Sequence, residues 1–261
     1  MFKVSDFMIF AVDVGNTNIV LGGFDNDKLV FESRVATNTS KMSDEYAIAF
    51  SDIIALHGCN PKLFDGTIIS SVVPQLLPVI KRAVKSLIGS NILVVSPGIK
   101  TGLNIKIDNP AILGSDLVCG AVSALCKYSP PCIIIDLGTS TTFSAIDANG
   151  SFLGGSICPG VRLSMSALAQ NAAQLPYIDL EPCQEIIGPN TIDAMKSGLL
   201  YGHAAMLDGL IDRYKKVVGE NATVIATGGL ANSIVSLCKD NIIIDETLVL
   251  DGLYQIYKKN S

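Results

Sequence analysis

Apolar residues along this chain come in short runs that stop at carboxylates, glycines and small hydroxyl side chains. Residues 8–12 and 19–21 form two such runs, which predicts a buried strand and a return strand around a polar turn. Residues 29–35 offer a third strand, and Ser43-Asp44-Glu45 opens an amphipathic helix reaching about His57. A strand over 67–73 carries Ser70 and Ser71 at its exit, a helix covers 75–87, and a strand over 92–95 stops at Pro97-Gly98. After a loop over 100–113, Gly114-Ser115-Asp116 leads into an apolar helix ending near Lys127. A second hairpin starts at Cys132. It is followed by a flexible turn from Gly154-Gly155 to Pro159-Gly160, a helix over 162–173 and a long helix from Asn190-Thr191 to about Val217. Then come a strand over 224–227 running into Gly228-Gly229, a strand over 242–244 and a final helix over 246–259. Strands with helices between them are the α/β pattern.

The first turn reads Asp13-Val14-Gly15-Asn16-Thr17-Asn18, with Ile19 and Val20 on the return strand. Gly15 allows close backbone approach, Asn16, Thr17 and the turn's N–H groups can cradle phosphate oxygens, and Asp13 can hold a metal ion bridging them. An ordinary hairpin, whose Asp and Asn merely make the turn, reads the same way. A second copy shifts the balance: Cys132-Ile-Ile-Ile-Asp136-Leu137-Gly138-Thr139-Ser140-Thr141-Thr142 is again an apolar strand ending in Asp-x-Gly and hydroxyls. The chain therefore reads as duplicated, with a phosphate-and-metal cleft between two related domains, 1–114 and 115–261. Asp116 follows Ser115 at a helix start. It is either a catalytic carboxylate, kept ionised there, or simply a favourable first-turn acid beside a capping Ser.

Hydrophobic residues make up 49% of the 261, ample for a core, and the net charge of −5 argues against a nucleic-acid footprint. Mean hydropathy is positive, yet charges, glycines or prolines interrupt every apolar run before the roughly 18 residues of a membrane span. Residues 1–7 have no signal-peptide pattern and read as a short extension. Seven scattered cysteines, no CxxC pair and only His57 and His203 speak for reduced thiols in a cytoplasmic protein, not for zinc or a redox centre.

Duplicated Asp-x-Gly hairpins followed by strand-Gly-Gly-helix resemble the actin-like ATPase and sugar-kinase superfamily, whose two ribonuclease H-like domains hold ATP between them. Within it, the segments at Asp13, at Asp136, Gly154-Gly155-x-x-x-Pro159-Gly160, Asn190-Thr191, Thr227-Gly228-Gly229 and Leu250-x-Gly252-Leu253 together resemble type III pantothenate kinase. That resemblance implies phosphorylation of pantothenate by ATP with Mg²⁺, the first step towards coenzyme A, in a cytoplasmic homodimer. It implies ATP contacts from Asp13, Val14, Gly15, Asn16, Thr17, Asn18, Ile19, Val20 and Thr139, with Asp136 as ligand of an activating K⁺ or NH₄⁺. It further implies substrate contacts from Ile107, Gly114, Ser115, Asp116, Leu117 and, across the dimer, Thr191, with Asp116 as general base.

Two positions depart from the family pattern. Leu117 stands where the family has arginine, and Ile107 where it has tyrosine. Losing an arginine–carboxylate contact costs about 1.5–3 kcal/mol, roughly ten- to more than a hundred-fold in binding. Three alternatives stay open: another residue supplies the cation, the acceptor is a less anionic alcohol, or the chain is a paralogue that binds nucleotide with little activity. A sugar or acetate kinase fits the short chain less well, and no helix-turn-helix extension suggests a DNA-binding repressor.

Overall fold

The computed structural model describes residues 8–89, 91–181 and 185–261; residues 1–7 and Cys183 lie outside them. Among the described residues there are two sheets. The first contains β1 (Met8–Val14), β2 (Asn18–Asp25), β3 (Lys28–Ala36), β4 (Phe64–Ser71) and β5 (Asn91–Val94), in the order β3-β2-β1-β4-β5. The second contains β6 (Asn104–Ile105), β7 (Cys132–Leu137), β8 (Ser140–Ile146), β9 (Ser151–Pro159), β10 (Thr223–Thr227) and β11 (Ile243–Ile244), in the order β11-β10-β7-β8-β9-β6. Without β6 the two orders are the same. Each sheet has a three-strand antiparallel meander, whose first strand pairs in parallel on its other side with a fourth strand, and that strand pairs in parallel with a fifth. The repeat read from two Asp-x-Gly motifs is thus a repeat of topology.

Helices α1 (Ser43–Leu56), α2 (Leu77–Leu87), α3 (Ser115–Lys127), α4 (Val161–Asn171), α5 (Thr191–Val218), α6 (Ala231–Val235) and α7 (Leu248–Asn260) complete the chain. Two compact units result. One holds residues within 8–102, 109–123 and 248–261, the other residues 103–108 and those within 124–247. The last helix returns to the first unit, and α3 begins in one unit and ends in the other.

In the first unit, period-two alternation sends Met8, Phe10, Val12 and Val14 into a core with Tyr46, Phe50 and Ile54. Those three side chains, four residues apart, make one stripe of α1. Phe10 meets Phe50 edge-on at 6.1 Å and Phe64 at 5.4 Å. The opposite phase of β1, namely Ile9, Ala11 and then Asp13, looks to the other face, which α7 covers: Tyr254 stacks on Phe24 at 4.5 Å, and Leu250 fills the space beside Gly22. β7 uses the same phase, with Ile133, Ile135 and Leu137 in the second core and Asp136 on the opposite face.

Two differences from the expected elements have clear causes. Gly154 and Gly155 lie inside β9, not in a flexible turn. A side-chain carbon on Gly155 would come within 1.7 Å of the Phe143 carbonyl oxygen, so glycine lets β8 and β9 pair closely. Gly154, at φ +123°, adjoins the register shift that leaves Leu153 without a partner on β8, a bulge in β9. The loop expected over 100–113 also contributes β6, paired in parallel with Ser151 and Phe152 of β9.

Gly252 tests the packing of α3 against α7. An alanine there gains about 1 kcal/mol of helix propensity, but its Cβ would stand 1.9 Å from the Cys119 carbonyl oxygen, and overpacking costs about 1–3 kcal/mol. Because the obstacle is helix backbone, the clash wins. Gly252→Ala should lower the calorimetric Tm, whereas a higher Tm would contradict this contact.

Candidate functional site

Parallel pairing of β1 with β4 sets Asp13 beside Ser70 and Val14 beside Ser71. The Ser70 hydroxyl donates to the Asp13 carboxylate. One residue on, the Ser71 N–H donates to Ser115 Oγ at 3.1 Å, and that hydroxyl donates back to the Ser71 carbonyl at 3.2 Å. The first turn of α3 is thereby fastened to the carboxyl end of β4, and Asp116 comes to the same sheet edge as Asp13. Cys119, buried one turn along α3, registers both acids: its thiol is pushed well above the ordinary value, first by burial and then by the charges of Asp13 and Asp116.

Asp116 Oδ1 accepts the Leu117 N–H at 2.8 Å. Its carboxylate folds back over Gly114, where a side-chain carbon would stand 2.5 Å from Oδ1, so glycine at 114 makes room for it. The helix-start position predicts a carboxyl held low. In the structure burial dominates and raises its pKa above the ordinary carboxylate value of 3.8, partly countered by the backbone N–H groups of Leu117 and Asp116 itself. A carboxylate with raised proton affinity is a better base.

Between β1 and β2 the Gly15 N–H donates to the Asn18 carbonyl at 3.0 Å, closing a tight turn that leaves Asn16, Thr17 and Asn18 exposed. Val14 and Ile19 point into the core, so only their backbone can serve a ligand, and Val20 is half-buried.

The second unit repeats the turn. Asp136 is the last residue but one of β7, and the Gly138 N–H donates to the Ser140 carbonyl at 3.2 Å. Here glycines hem the turn in. A Cβ on Gly228, whose φ is +97°, would stand 2.6 Å from Asp136 Oδ1, and one on Gly160 would stand 2.4 Å from the Thr139 carbonyl oxygen. Ile107 lies half-buried against Gly154. Thr191 starts α5 behind the Asn190 cap, which accepts the Asp193 N–H at 3.0 Å. It borders an open depression of about 550 Å³ with Leu168, Leu175, Met195 and Leu199. Sequence reasoning noted Ser70 and Ser71 only as hydroxyls at a strand end. Their role emerges from the β1–β4 register, which no motif spells out.

Residues 9–213 match the family model of type III pantothenate kinase. A type III pantothenate kinase from an Exiguobacterium species is 43% identical over 253 residues, covering 97% of this chain and 99% of its own. Among solved structures, a Baf family protein from Campylobacter jejuni aligns over 96% of this chain and 98% of its own, with a TM-score of 0.61 and 18% identity. The activator of the 2-hydroxyisocaproyl-CoA dehydratase from Clostridium difficile, with bound ADPNP, covers 96% of this chain and 94% of its own, with a TM-score of 0.53 and 13% identity. A ROK hexokinase from Thermus thermophilus covers 98% and 100%, with 0.51 and 12%. At such identities the structural likeness is one of fold, and the expected actin-like, sugar-kinase architecture is met.

The raised Asp116 proton affinity has a stability consequence. With a folded pKa above the unfolded one, the folded state binds more protons between the two values, so rising pH costs stability there. Asn carries no such charge. Asp116→Asn should therefore unfold at the same Tm as the parent or higher at pH 8, with the gap closing near pH 4 or below, about the ordinary carboxyl pKa. A variant less stable at pH 8 but not at pH 4 would mean that the fold stabilises the carboxylate instead.

Proposed function

The chain belongs to the type III pantothenate kinase family, and on that premise we infer that it transfers the terminal phosphoryl group of ATP to the primary hydroxyl of pantothenate, the first step towards coenzyme A. What ties this activity to particular residues is the meeting of Asp13, Ser70, Ser115 and Asp116 at one sheet edge, inside the matched region.

In this reading Asp116 accepts the proton of the attacking hydroxyl. Its raised pKa supports the role, since a general base works best with a pKa nearer the working pH. The tight turn at Gly15, with Asn16, Thr17 and Asn18 exposed, supports a phosphate loop running from Asp13 to Val20, to which Val14 and Ile19 contribute backbone alone. Thr139, in the matching turn of the second unit, meets the nucleotide as well. Asp13 and Ser70 are hard oxygen groups that suit Mg²⁺ carried on the phosphates. An ion held there would offset charge on the transferred group. Asp136, with the Leu137 carbonyl beside it, offers oxygen donors of the kind that suit K⁺ or NH₄⁺.

Gly114, Ser115, Leu117, Ile107 and Thr191 are the further acceptor contacts of this reading. The Leu117 side chain has no donor for a carboxylate, so another group meets that of pantothenate; nothing in the comparisons favours a paralogue with a changed acceptor. Thr191 acts across a homodimer. Support comes from the depression it borders and from large apolar side chains left exposed around it, Leu168 at 40% and Ile192 at 47%. No helix among the described residues is long and apolar enough to cross a membrane. The cytoplasm is the working compartment in this reading, which the six free cysteines among the described residues support.

Purified protein should phosphorylate pantothenate with MgATP and respond strongly to K⁺ or NH₄⁺, and Asp136→Asn should blunt that response. Asp116→Asn should lose about 10²–10⁴ of kcat with nucleotide affinity nearly intact. A fully active Asp116→Asn enzyme would remove Asp116 from the chemistry. Light scattering should give a dimer, with Leu168→Asp shifting it towards monomer; a monomeric parent would overturn the shared acceptor site.

A further inference from the structure

His203, for which the sequence suggested no role, sits on α5 with both ring nitrogens against backbone carbonyls. Nδ1 is 2.8 Å from the Leu199 oxygen, one turn back on the same helix, and Nε2 is 3.1 Å from the Pro159 oxygen at the end of β9. A neutral imidazole donates one of these bonds and an imidazolium both. The Leu199 carbonyl also receives a helix N–H, and that contact lies within α5, so it ties no second element in place. The Pro159 contact joins two elements far apart in sequence.

Pro159 leads directly to the second Asp-x-Gly turn. The next N–H, that of Gly160, donates to the Thr139 carbonyl at 3.2 Å. The Gly160 α-carbon lies so close to this turn that a Cβ would stand 2.4 Å from the Thr139 oxygen and 2.6 Å from that of Gly138. Backbone packed this tightly moves together. Gly228 closes the other side of the turn against Asp136 and Leu137, so the Pro159-Gly160 peptide is a wall whose outer support is the His203 ring.

We propose that His203 is a positioning residue: its Nε2–H, donated to the Pro159 carbonyl, fixes the Pro159-Gly160 peptide and through it the Gly138-Thr139 turn. The effect on catalysis rests on the reading that this turn meets ATP, but the contact itself does not.

Asn and Gln separate the two ring nitrogens. The amide nitrogen of Gln falls near Nε2 and can still reach Pro159, that of Asn falls near Nδ1 and reaches only Leu199, and Leu reaches neither. Amide hydrogen exchange over residues 138–142, in nucleotide-free protein, should quicken several-fold in His203→Asn and His203→Leu and stay near the parent rate in His203→Gln. The KM for ATP should follow the same order, rising about 2- to 10-fold in the first two while the KM for pantothenate holds, as expected for one lost hydrogen bond. A merely structural role within α5 would be served by Asn as well as by Gln. Equal behaviour of Asn and Gln, or unchanged exchange in all three variants, overturns the proposal. Faster exchange in the Asn and Leu variants with an unchanged KM for ATP upholds the positioning role and removes this turn from the nucleotide site.

Discussion

Two reciprocal hydrogen bonds between Ser71 and Ser115 hold the first unit's chemistry together. One peptide group donates to a hydroxyl that donates back to the same residue, which fixes both the place and the rotation of α3 at the end of β4. Each bond is worth only about 0.5–1.5 kcal/mol, but one hydroxyl makes both, so little conformational freedom is lost for the pair. The Ser71 side chain acts separately. Its Oγ accepts the Val73 N–H at 3.2 Å and donates to the Val73 carbonyl, ending the strand in a local turn. A single residue thus stops β4 and anchors the helix that carries Asp116. Asp13 shares that frame because β1 runs parallel to β4 without a register break between Ile9 and Val14.

Much of this was legible in the chain. An apolar run that ends in Asp-x-Gly and small polar residues dictates a strand with its carboxylate at the exit, and two copies dictate a repeat, since strand alternation leaves each Asp on the face opposite the larger core. What stayed hidden depends on contacts between distant residues. Gly154-Gly155 looks like a turn until β8 lies 1.7 Å from where a side chain would be. The pair β6–β9 spans forty-seven positions and only two residues of strand, too short a pattern to see. Ser70 and Ser71 are ordinary hydroxyls until the register sets them against Asp13 and Ser115.

The two turns keep one plan and hold it by different means. Around Asp13 the neighbours are hydroxyl groups that hydrogen-bond the carboxylate and the helix start. Around Asp136 they are glycines, Gly160 and Gly228, that let backbone close in from two sides. Hydroxyls offer donors to a negative group and can turn as a ligand arrives; backbone packed on glycine offers fixed carbonyl oxygens. That contrast makes the first turn the more adaptable of the two and the second the more rigid.

Asp116 brings the opposing forces to one residue. A carboxylate in the first turn of a helix gains about 0.3–1 kcal/mol from the helix dipole, and it also accepts the Leu117 N–H, so both local effects favour the charged form. Burial at the β4 edge opposes them and prevails, leaving the pKa above its ordinary value. The outcome suits a base: an acid held by the dipole alone would be too weakly basic to take a hydroxyl proton, and one buried without the N–H would resist ionising at all. Gly114 is where the compromise is made, because only with no side chain there can the carboxylate fold back far enough to keep its N–H partner while turning away from water.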